Sequence, residues 1–440
     1  MKRKIAVLGM GQGGLVAAVK LAKAGFDVDV FEREREGEVS YPWFDDITFN
    51  VFDAVGIPTP PREDYTQKSK WLFVSPNHKD SLPVPPMPPM VEVSVSRRGL
   101  NRHLCTLAKQ AGAKLHFEEP VKTLVFDGDM VVGFETDKGV YEADLVIDAA
   151  GLNSPFRGQL PESACIPAKP EKDDIMYGYR GFFEREPGSK TPDPESVLHL
   201  MPMDGVDICW CNLNERDEVD MLILNIGGTE KADAEKCEAF LKDYNEVCSD
   251  KVVHPIRPVR VGVRATMPVI VADGYAAVGD SAFMTMPFMG SGIEASMKAG
   301  KILAEVVIKN KKKEFTAKNL WKYETRYVKE LGAVYMLIDV VKRWALNLDP
   351  KDIEWAFGSG LVTSDDMKLL SSDSDAEFSL SELHVGKKLL ILFSKPRNIF
   401  GALKSVAKAV RGLVAALMVP KKYNQKKVQK WAKKYDSYIH

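Results

Sequence analysis

A chain of 440 residues that is 45% hydrophobic and 28% charged can bury a substantial core, which excludes a disordered or fibrous protein and leaves room for two domains or one large domain with an inserted lobe. No apolar run reaches the ~18 residues of a membrane-crossing helix, so a transmembrane helix is excluded on length. The net charge of −1 hides an asymmetry, because Lys387 to His440 holds fourteen Lys/Arg and one acid, Asp436, while the rest of the chain is acidic. Six cysteines without Cys-x-x-Cys spacing, and no signal-like start, point to reduced thiols in a cytoplasmic protein.

The chain opens with Lys4-Ile5-Ala6-Val7-Leu8, a short branched run that suits a buried parallel strand. Gly9-Met10-Gly11-Gln12-Gly13-Gly14 follows, then helix formers from Leu15 to Ala24, a stop at Gly25, and a second apolar run from Val28 to Glu32. In this strand–turn–helix–strand unit Gly9 permits the tight turn, Gly11 lets backbone approach a pyrophosphate, and Gly14 lets helix pack close to strand. The helix N-terminus faces the phosphates with free N–H groups. Glu32, eighteen residues after the last glycine, stands where a carboxylate accepts hydrogen bonds from an adenosine ribose. These spacings predict a dinucleotide site.

Tyr41-Pro42-Trp43-Phe44-Asp45-Asp46 then places aromatics beside acids, either lining a pocket or anchoring a loop. Pro58 to Pro89 is proline-dense and reads as a long surface excursion. Val91 to Val95 alternates as a strand, and Arg97 to Ala111 reads as a helix. Gly112 to Phe117, Thr123 to Phe126, Val131 to Thr136 and Val140 to Leu145 are further strands, with Asp127-Gly128-Asp129 as the turn of a β-meander. Leu145 to Asp148 re-enters the nucleotide domain and ends in Ala149-Ala150-Gly151-Leu152-Asn153-Ser154, with Arg157 just beyond. Met176 to Gly228 alternates as a larger antiparallel sheet, the natural substrate lobe, and Asp233 to Val247 reads as a helix. Val259 to Pro268 leads to a strand ending at Gly279-Asp280. Met286-Pro287-Phe288-Met289-Gly290-Ser291-Gly292 then opens a helix reaching about Asn310, whose N-terminal N–H groups can face an anion and whose dipole would stabilise its negative charge.

These three glycine-bearing segments resemble, in order and spacing, the FAD-dependent para-hydroxybenzoate hydroxylase superfamily. Pro287 to Gly300 is most similar to its geranylgeranyl reductase branch, and Arg97-Arg98-Gly99-Leu100 resembles its arginine–leucine helix. The resemblance covers about the first 310 residues. It implies an α/β fold, a Rossmann-type FAD-binding domain with an inserted antiparallel β-sheet substrate domain and a helical C-terminal region. The expected divisions are 1–175 with 255–312, then 176–254, then 313–440.

Carried over by position, the resemblance implies that Gly9, Gly11, Gly13 and Gly14 hold the pyrophosphate and Glu32 the ribose. Arg97, or Arg102, would reach the cofactor phosphate or ribityl chain, and Asp280 the ribityl or pyrophosphate oxygens. Gly290 and Gly292 would lie under the flavin, with Val121, Gly151, Pro287 and Ser291 in the same contact set. Two departures stand out. Ala150 occupies the position of the hydroxylases' aspartate, and Ile208-Cys209-Trp210-Cys211-Asn212 replaces a substrate-channel stretch of which only Trp210 survives.

Flavin carries the hydride chemistry, so a catalytic acid need not appear as a motif. The candidate proton donors are Tyr41, Asp45, Asp46, Glu294 and, less in keeping with their small apolar character, Cys209 and Cys211, with Trp210 as a channel residue. The seven histidines are scattered, so no metal site is expected. Without a second glycine fingerprint, electrons would come from transiently bound NAD(P)H or a protein donor. The reading is an FAD-dependent reductase of a carbon–carbon double bond in a small apolar, isoprenoid- or lipid-like substrate. The alternatives are an NAD(P)H-dependent monooxygenase on an aromatic or polyketide-like compound, and a non-catalytic flavin-binding membrane-associated protein.

Beyond residue 312 the reading is helical. Lys318 to Leu346 is one such segment, and Asp349 caps another that starts at Pro350. Ser371 to Asp375 reads as a polar loop. From Ile399, Phe400, Leu403, Val406, Val410, Leu413, Val414 and Leu417 fall on one helical face and Lys404, Lys408 and Arg411 on another, followed by a lysine-rich tail. Two readings stay open: peripheral attachment to the inner membrane face, or a helix covering the core with a solvated tail. Nucleic-acid binding is not expected.

Overall fold

Lys4–Leu8 is the buried strand its branched run calls for, paired in parallel with Asp27–Phe31 on one side and Leu145–Asp148 on the other. Parallel neighbours require a crossover, and the helix Gln12–Lys23 supplies it. This computed structural model describes residues 2–67, 71–84, 91–191, 196–203, 205–214, 216–227, 247–371, 391 and 396–440. The strand order of the first sheet is Val271–Ala272, Tyr275–Ala277, Leu145–Asp148, Lys4–Leu8, Asp27–Phe31 and Lys114–His116, with Val271–Ala272 antiparallel at its edge. A meander of Val121–Asp127, Met130–Thr136 and Gly139–Glu142 packs on this sheet, where Phe134 and Tyr141 meet the Phe31 ring edge-on at 4.8 and 5.0 Å.

Gly9 has φ +94°, and its N–H reaches the Phe31 carbonyl at 2.8 Å, which bends the chain off the strand. A Cβ at Gly14 would stand 2.6 Å from the Ala149 side chain and 2.9 Å from Val7, so helix and strand touch there, as expected. Gly13 has a second task. Its carbonyl would be 2.1 Å from a Cβ at Gly300, so the fingerprint helix and the helix Ile293–Lys309 cross with backbones in contact. That crossing sets the Gly9–Gly14 turn beside Gly279-Asp280.

The second sheet has seven strands in the order Cys248–Gly262, Ile175–Arg185, Glu218–Ile226, Val206–Leu213, Ser196–Met203, Trp71–Val74 and Ser81–Val84. Two expectations are corrected by it. The proline-dense stretch is more than a surface excursion, because Trp71–Val74 pairs in parallel with Ser196–Met203 and carries Ser81–Val84 beyond it. The residues from Val259 do more than lead to the next motif, since they end a 15-residue strand that also runs across the expected boundary at residue 254. Both strands are held by partners more than a hundred residues or a whole lobe away, which local periodicity does not report. The helix read over Asp233 to Val247 lies, apart from Val247, outside the described residues, as does the polar loop after Ser371. A third sheet, Phe44–Thr48, Glu92–Ser96 and Tyr65–Gln67, turns the aromatic–acidic stretch into a strand.

The C-terminal helices form as read. Thr316 caps Ala317–Tyr327, a π-turn Val328–Gly332 leads into Ala333–Ala345, and Asp349 caps Pro350–Gly358 through the Lys351 N–H. A buried ion cluster ties this region to the core: Arg264 and Arg343 converge on Asp174 at 3.1 and 2.7 Å, and Lys342 and Arg343 on Asp339 at 3.0 and 2.9 Å. Helix Pro396–Leu417 packs on Ala333–Ala345, and the last helix, Gln425–Asp436, fastens it. Trp431 donates to the Ala415 carbonyl at 2.8 Å, and the Tyr435 hydroxyl to the Thr266 carbonyl at 2.9 Å.

Candidate active site

The three glycine-bearing segments meet around one cleft of about 1040 Å³. Gly9 to Gly14 form its floor, with Glu32, Val121, Gly151, Arg97 and Asp280 on its walls and Gly290 and Gly292 at its inner end. The first turn of Gln12–Lys23 carries no acidic residue and no side-chain cap, so its N–H groups and positive dipole end are left for an anion. A Cβ at Gly151 would meet nothing within 4 Å, because that position opens on the cleft. Glu32 is fixed by its own turn: its carboxylate accepts from the Met10 N–H at 2.9 Å and from the Arg33 and Glu34 N–H groups at 2.8 and 3.1 Å.

Asp148, fully buried, is the knot that joins the middle and last segments. It accepts from Ser154 Oγ at 2.5 Å, the Tyr275 hydroxyl at 2.6 Å and the Ala150 N–H at 3.0 Å. Ser281 Oγ donates to the Asp148 carbonyl at 2.6 Å, and Arg157 bonds the Ser281 and Leu152 carbonyls at 2.9 and 2.6 Å. Burial raises the Asp148 carboxyl against the pull of these donors. The result is a rigid mount for Asp280, whose carboxyl burial also raises while Arg97 draws it back down.

A smaller cavity of about 220 Å³ opens beyond Gly290–Ile293 and shares Tyr41, Arg97, Val261, Gly290, Gly292 and Ile293 with the cleft. Its wall is mixed: Trp43, Phe73, Phe182 and Trp210 are among the lining aromatics, and Asp45, Asp46, Arg97, Arg180, Arg216 and Asp220 are the charged side chains beside them. Arg180 stands in the middle. It donates to both Asp220 oxygens at 2.9 and 2.8 Å and to Asp45 at 2.7 Å, and its guanidinium lies 5.2 Å from both the Trp43 and Phe182 rings. Asp45 bridges onward to Arg97 at 2.8 Å.

This arrangement sorts the candidate proton donors. Burial alone would raise the Asp45 carboxyl, but Arg180 and Arg97 outweigh it and hold the group below the ordinary carboxylate range, so Asp45 is an acceptor rather than an acid. Asp46 accepts from Ser94 Oγ. Glu294 is 2% exposed and takes both the N–H and hydroxyl of Thr48 at 2.6 Å, which makes it a tie between the third sheet and its helix. Cys209 packs in the apolar cluster with Val219 and Ile223, with Cys211 against its edge, while Trp210 and Asn212 line the cavity, as strand alternation requires. Tyr41 remains. It lines both cavities, stacks on Trp43 at 4.3 Å, and its hydroxyl makes no hydrogen bond among the described residues.

Three cofactor expectations are corrected. Arg102 does not line the cleft; it is largely exposed and pairs with Asp64 at 2.9 Å. Arg98, one turn nearer the N-terminus of the helix Arg97–Ala111, lines it instead. Pro287 is buried in its turn and borders neither cavity, and Ser291 faces the smaller one only. Arg180, Phe73 and Trp71 carried no local signal, because what brings them to the cavity is sheet pairing.

Residues 92–306 match the family described as FAD dependent oxidoreductase, a span that runs from the strand before Arg97 through the last glycine segment. The chain is an FAD-dependent oxidoreductase. Among similar proteins, digeranylgeranylglycerophospholipid reductase 2 of Methanopyrus kandleri is 28% identical over 76% of this chain and 84% of its own length. The digeranylgeranylglycerophospholipid reductase of Sulfolobus acidocaldarius is 21% identical over 93% of this chain and 92% of its own. A geranylgeranyl bacteriochlorophyll reductase-like protein of Thermoplasma acidophilum shares the fold, with a TM-score of 0.73 and 17% identity over 92% of this chain and all of that one. The cleft of this oxidoreductase fits FAD on its own chemistry: a ribose-type acid at one end, uncapped N–H groups in the middle, and glycines at the junction with the second cavity. Among the described residues no cluster of metal-binding side chains occurs.

Proposed function

We propose that this FAD-dependent oxidoreductase reduces a carbon–carbon double bond in an apolar, isoprenoid-like substrate. The observation that carries the reading is the smaller cavity meeting the cofactor cleft at Gly290–Ile293, where a double bond held against Trp43, Phe182 and Trp210 would face the ring. The reductase names of the two curated relatives support it. Reduced FAD held at that junction would supply the hydride that one carbon of the double bond takes up, its electrons coming in turn from a nicotinamide or protein donor. The other carbon needs a proton, and this reading assigns it to the Tyr41 hydroxyl, which stands at the boundary of both cavities and makes no hydrogen bond among the described residues. Trp43, stacked on Tyr41, and the Arg97 guanidinium, 5.4 Å over the Tyr41 ring, hold that phenol in position.

Anaerobic mixing of the reduced protein with polyprenyl substrates tests the reading. Flavin reoxidation with a saturated product supports it; reoxidation only when oxygen is admitted, with an oxygenated product, supports a monooxygenase, the reading favoured by the cavity's small size and its charged Arg180–Asp45–Arg97 wall. Burial pushes the Tyr41 phenol above its ordinary value of 10.0, against the pull of Arg97. Any alkaline loss of the single-turnover rate that comes from this phenol should therefore have its midpoint above pH 10.0. A fall in rate with a midpoint near pH 8 would remove Tyr41 from the role.

A further inference from the structure

Helix Pro396–Leu417 is amphipathic, but it is not its large aliphatic face that packs on the protein. The buried positions are the small ones, Ala402, Ser405, Ala409, Ala415 and Ala416, and Gly412 sits so close to Met336 that a Cβ there would lie 3.1 Å from it. Small residues let this helix settle tightly on Ala333–Ala345 and use up the face that a packed helix needs. On the opposite side Leu403, Val406, Val410, Val414, Leu417 and Met418 recur at three- and four-residue spacing and are between 39% and 63% exposed. They make up six of the ten exposed large hydrophobic residues among those described. Lone exposed apolar residues need no explanation; a continuous stripe on one helix does.

The chemistry along the stripe says what covers it. Lys404, Lys408 and Arg411, all exposed, run at the same spacing along one edge, and the exposed Lys421 and Lys422 follow its C-terminal end. The stretch from Pro396 to Pro420 has no acidic residue. The helix is not apolar enough to cross a bilayer. An apolar stripe with a cationic margin, on a helix already fastened along its other face, matches the plane where acyl chains meet anionic headgroups. We propose that the exposed face of Pro396–Leu417 docks this protein on an anionic lipid surface, with the Leu403–Met418 stripe in the acyl boundary and Lys404, Lys408 and Arg411 at the phosphate level. The inference goes beyond the substrate reading and does not depend on it.

The test is flotation of the FAD-loaded full chain with phosphatidylcholine vesicles, with and without phosphatidylglycerol, alongside light scattering of the lipid-free protein. The wild-type chain should float with the anionic vesicles and be released by salt. Lys404→Gln with Lys408→Gln and Arg411→Gln should weaken that binding about a hundredfold and leave the weak binding to neutral vesicles unchanged. Val410→Asp with Val414→Asp should lower binding to both vesicle types by about tenfold or more while bound-flavin absorbance stays intact. Absence of wild-type flotation overturns the proposal. So does equal flotation of the variants, or a dimer that the Val410→Asp, Val414→Asp pair converts to monomer without any effect on lipid binding, which would make a second copy the occupant.

Discussion

Arg180→Met will destabilise the folded protein by about 3–5 kcal/mol at neutral pH, the ordinary consequence of removing the cation from a buried ion cluster. Arg180 is 11% exposed, and its bidentate partner Asp220 13%. Asp45 keeps Arg97 in the variant but loses its stronger neighbour, and Asp220 is left facing aromatic rings. The pH dependence has a definite sign. In the native protein the Asp45 carboxyl is depressed, so its contribution is present above the unfolded value of about 3.9 and is lost as pH falls through the lower folded value. Without Arg180, less opposes the burial of Asp45 and its carboxyl rises, held down by Arg97 alone. The deficit of the variant is then largest at neutral pH and shrinks as pH falls toward about 5. Denaturant unfolding of both proteins at the two pH values reads this directly. Arg180→Lys, which keeps the charge and loses the fork, should fall between them. A loss below about 1 kcal/mol, or a deficit that grows in acid, contradicts the role given to Arg180.

The same residue marks the boundary of what sequence reading reaches. Arg180 meets Asp45 across 135 positions and Asp220 across 40, and nothing near it in the chain announces either partner. The opening unit was legible because its parts are local: a strand, a turn that only glycine makes at φ +94°, a helix and an acid lie within thirty-two residues. The meander and the Asp349 cap were legible for the same reason. Trp71–Val74 and Cys248–Gly262 were not, since a strand is defined by its neighbours, and theirs lie in distant segments. The exchange of Arg102 for Arg98 is a matter of one helical turn. The residues at i and i+4 share a face, and only the position of Asp64 shows which of them is drawn away from the cleft. In the C-terminal helix, alanine and serine positions decide the packed side, and a reading guided by large apolar residues looks for burial on the opposite face.

Gly11→Val should weaken FAD binding about a hundredfold, near 2.7 kcal/mol, while the protein still folds. At φ −64° the backbone of Gly11 is open to any residue, so strain does not decide the outcome. A Cβ would lie 3.1 Å from the Ala149 carbonyl, which must give by a few tenths of an ångström, and the methyl groups would crowd the cleft floor beside the uncapped N–H groups. Gly11→Ala should show a smaller loss. Fluorescence titration of the apoproteins with FAD measures the affinities, and thermal melting of the same apoproteins separates a lost ligand from a lost fold. Unchanged affinity in the valine variant would take the pyrophosphate away from this turn.

The most direct measurement is a crystal structure of the chain reconstituted with FAD. The expected result is the ribose at Glu32, the pyrophosphate on the N–H groups at the start of Gln12–Lys23 with Asp280 near the ribityl oxygens, and the ring at Gly290–Ile293 facing Tyr41 and the smaller cavity. A ring seated anywhere that leaves Tyr41 and Gly290–Gly292 without contact would contradict it.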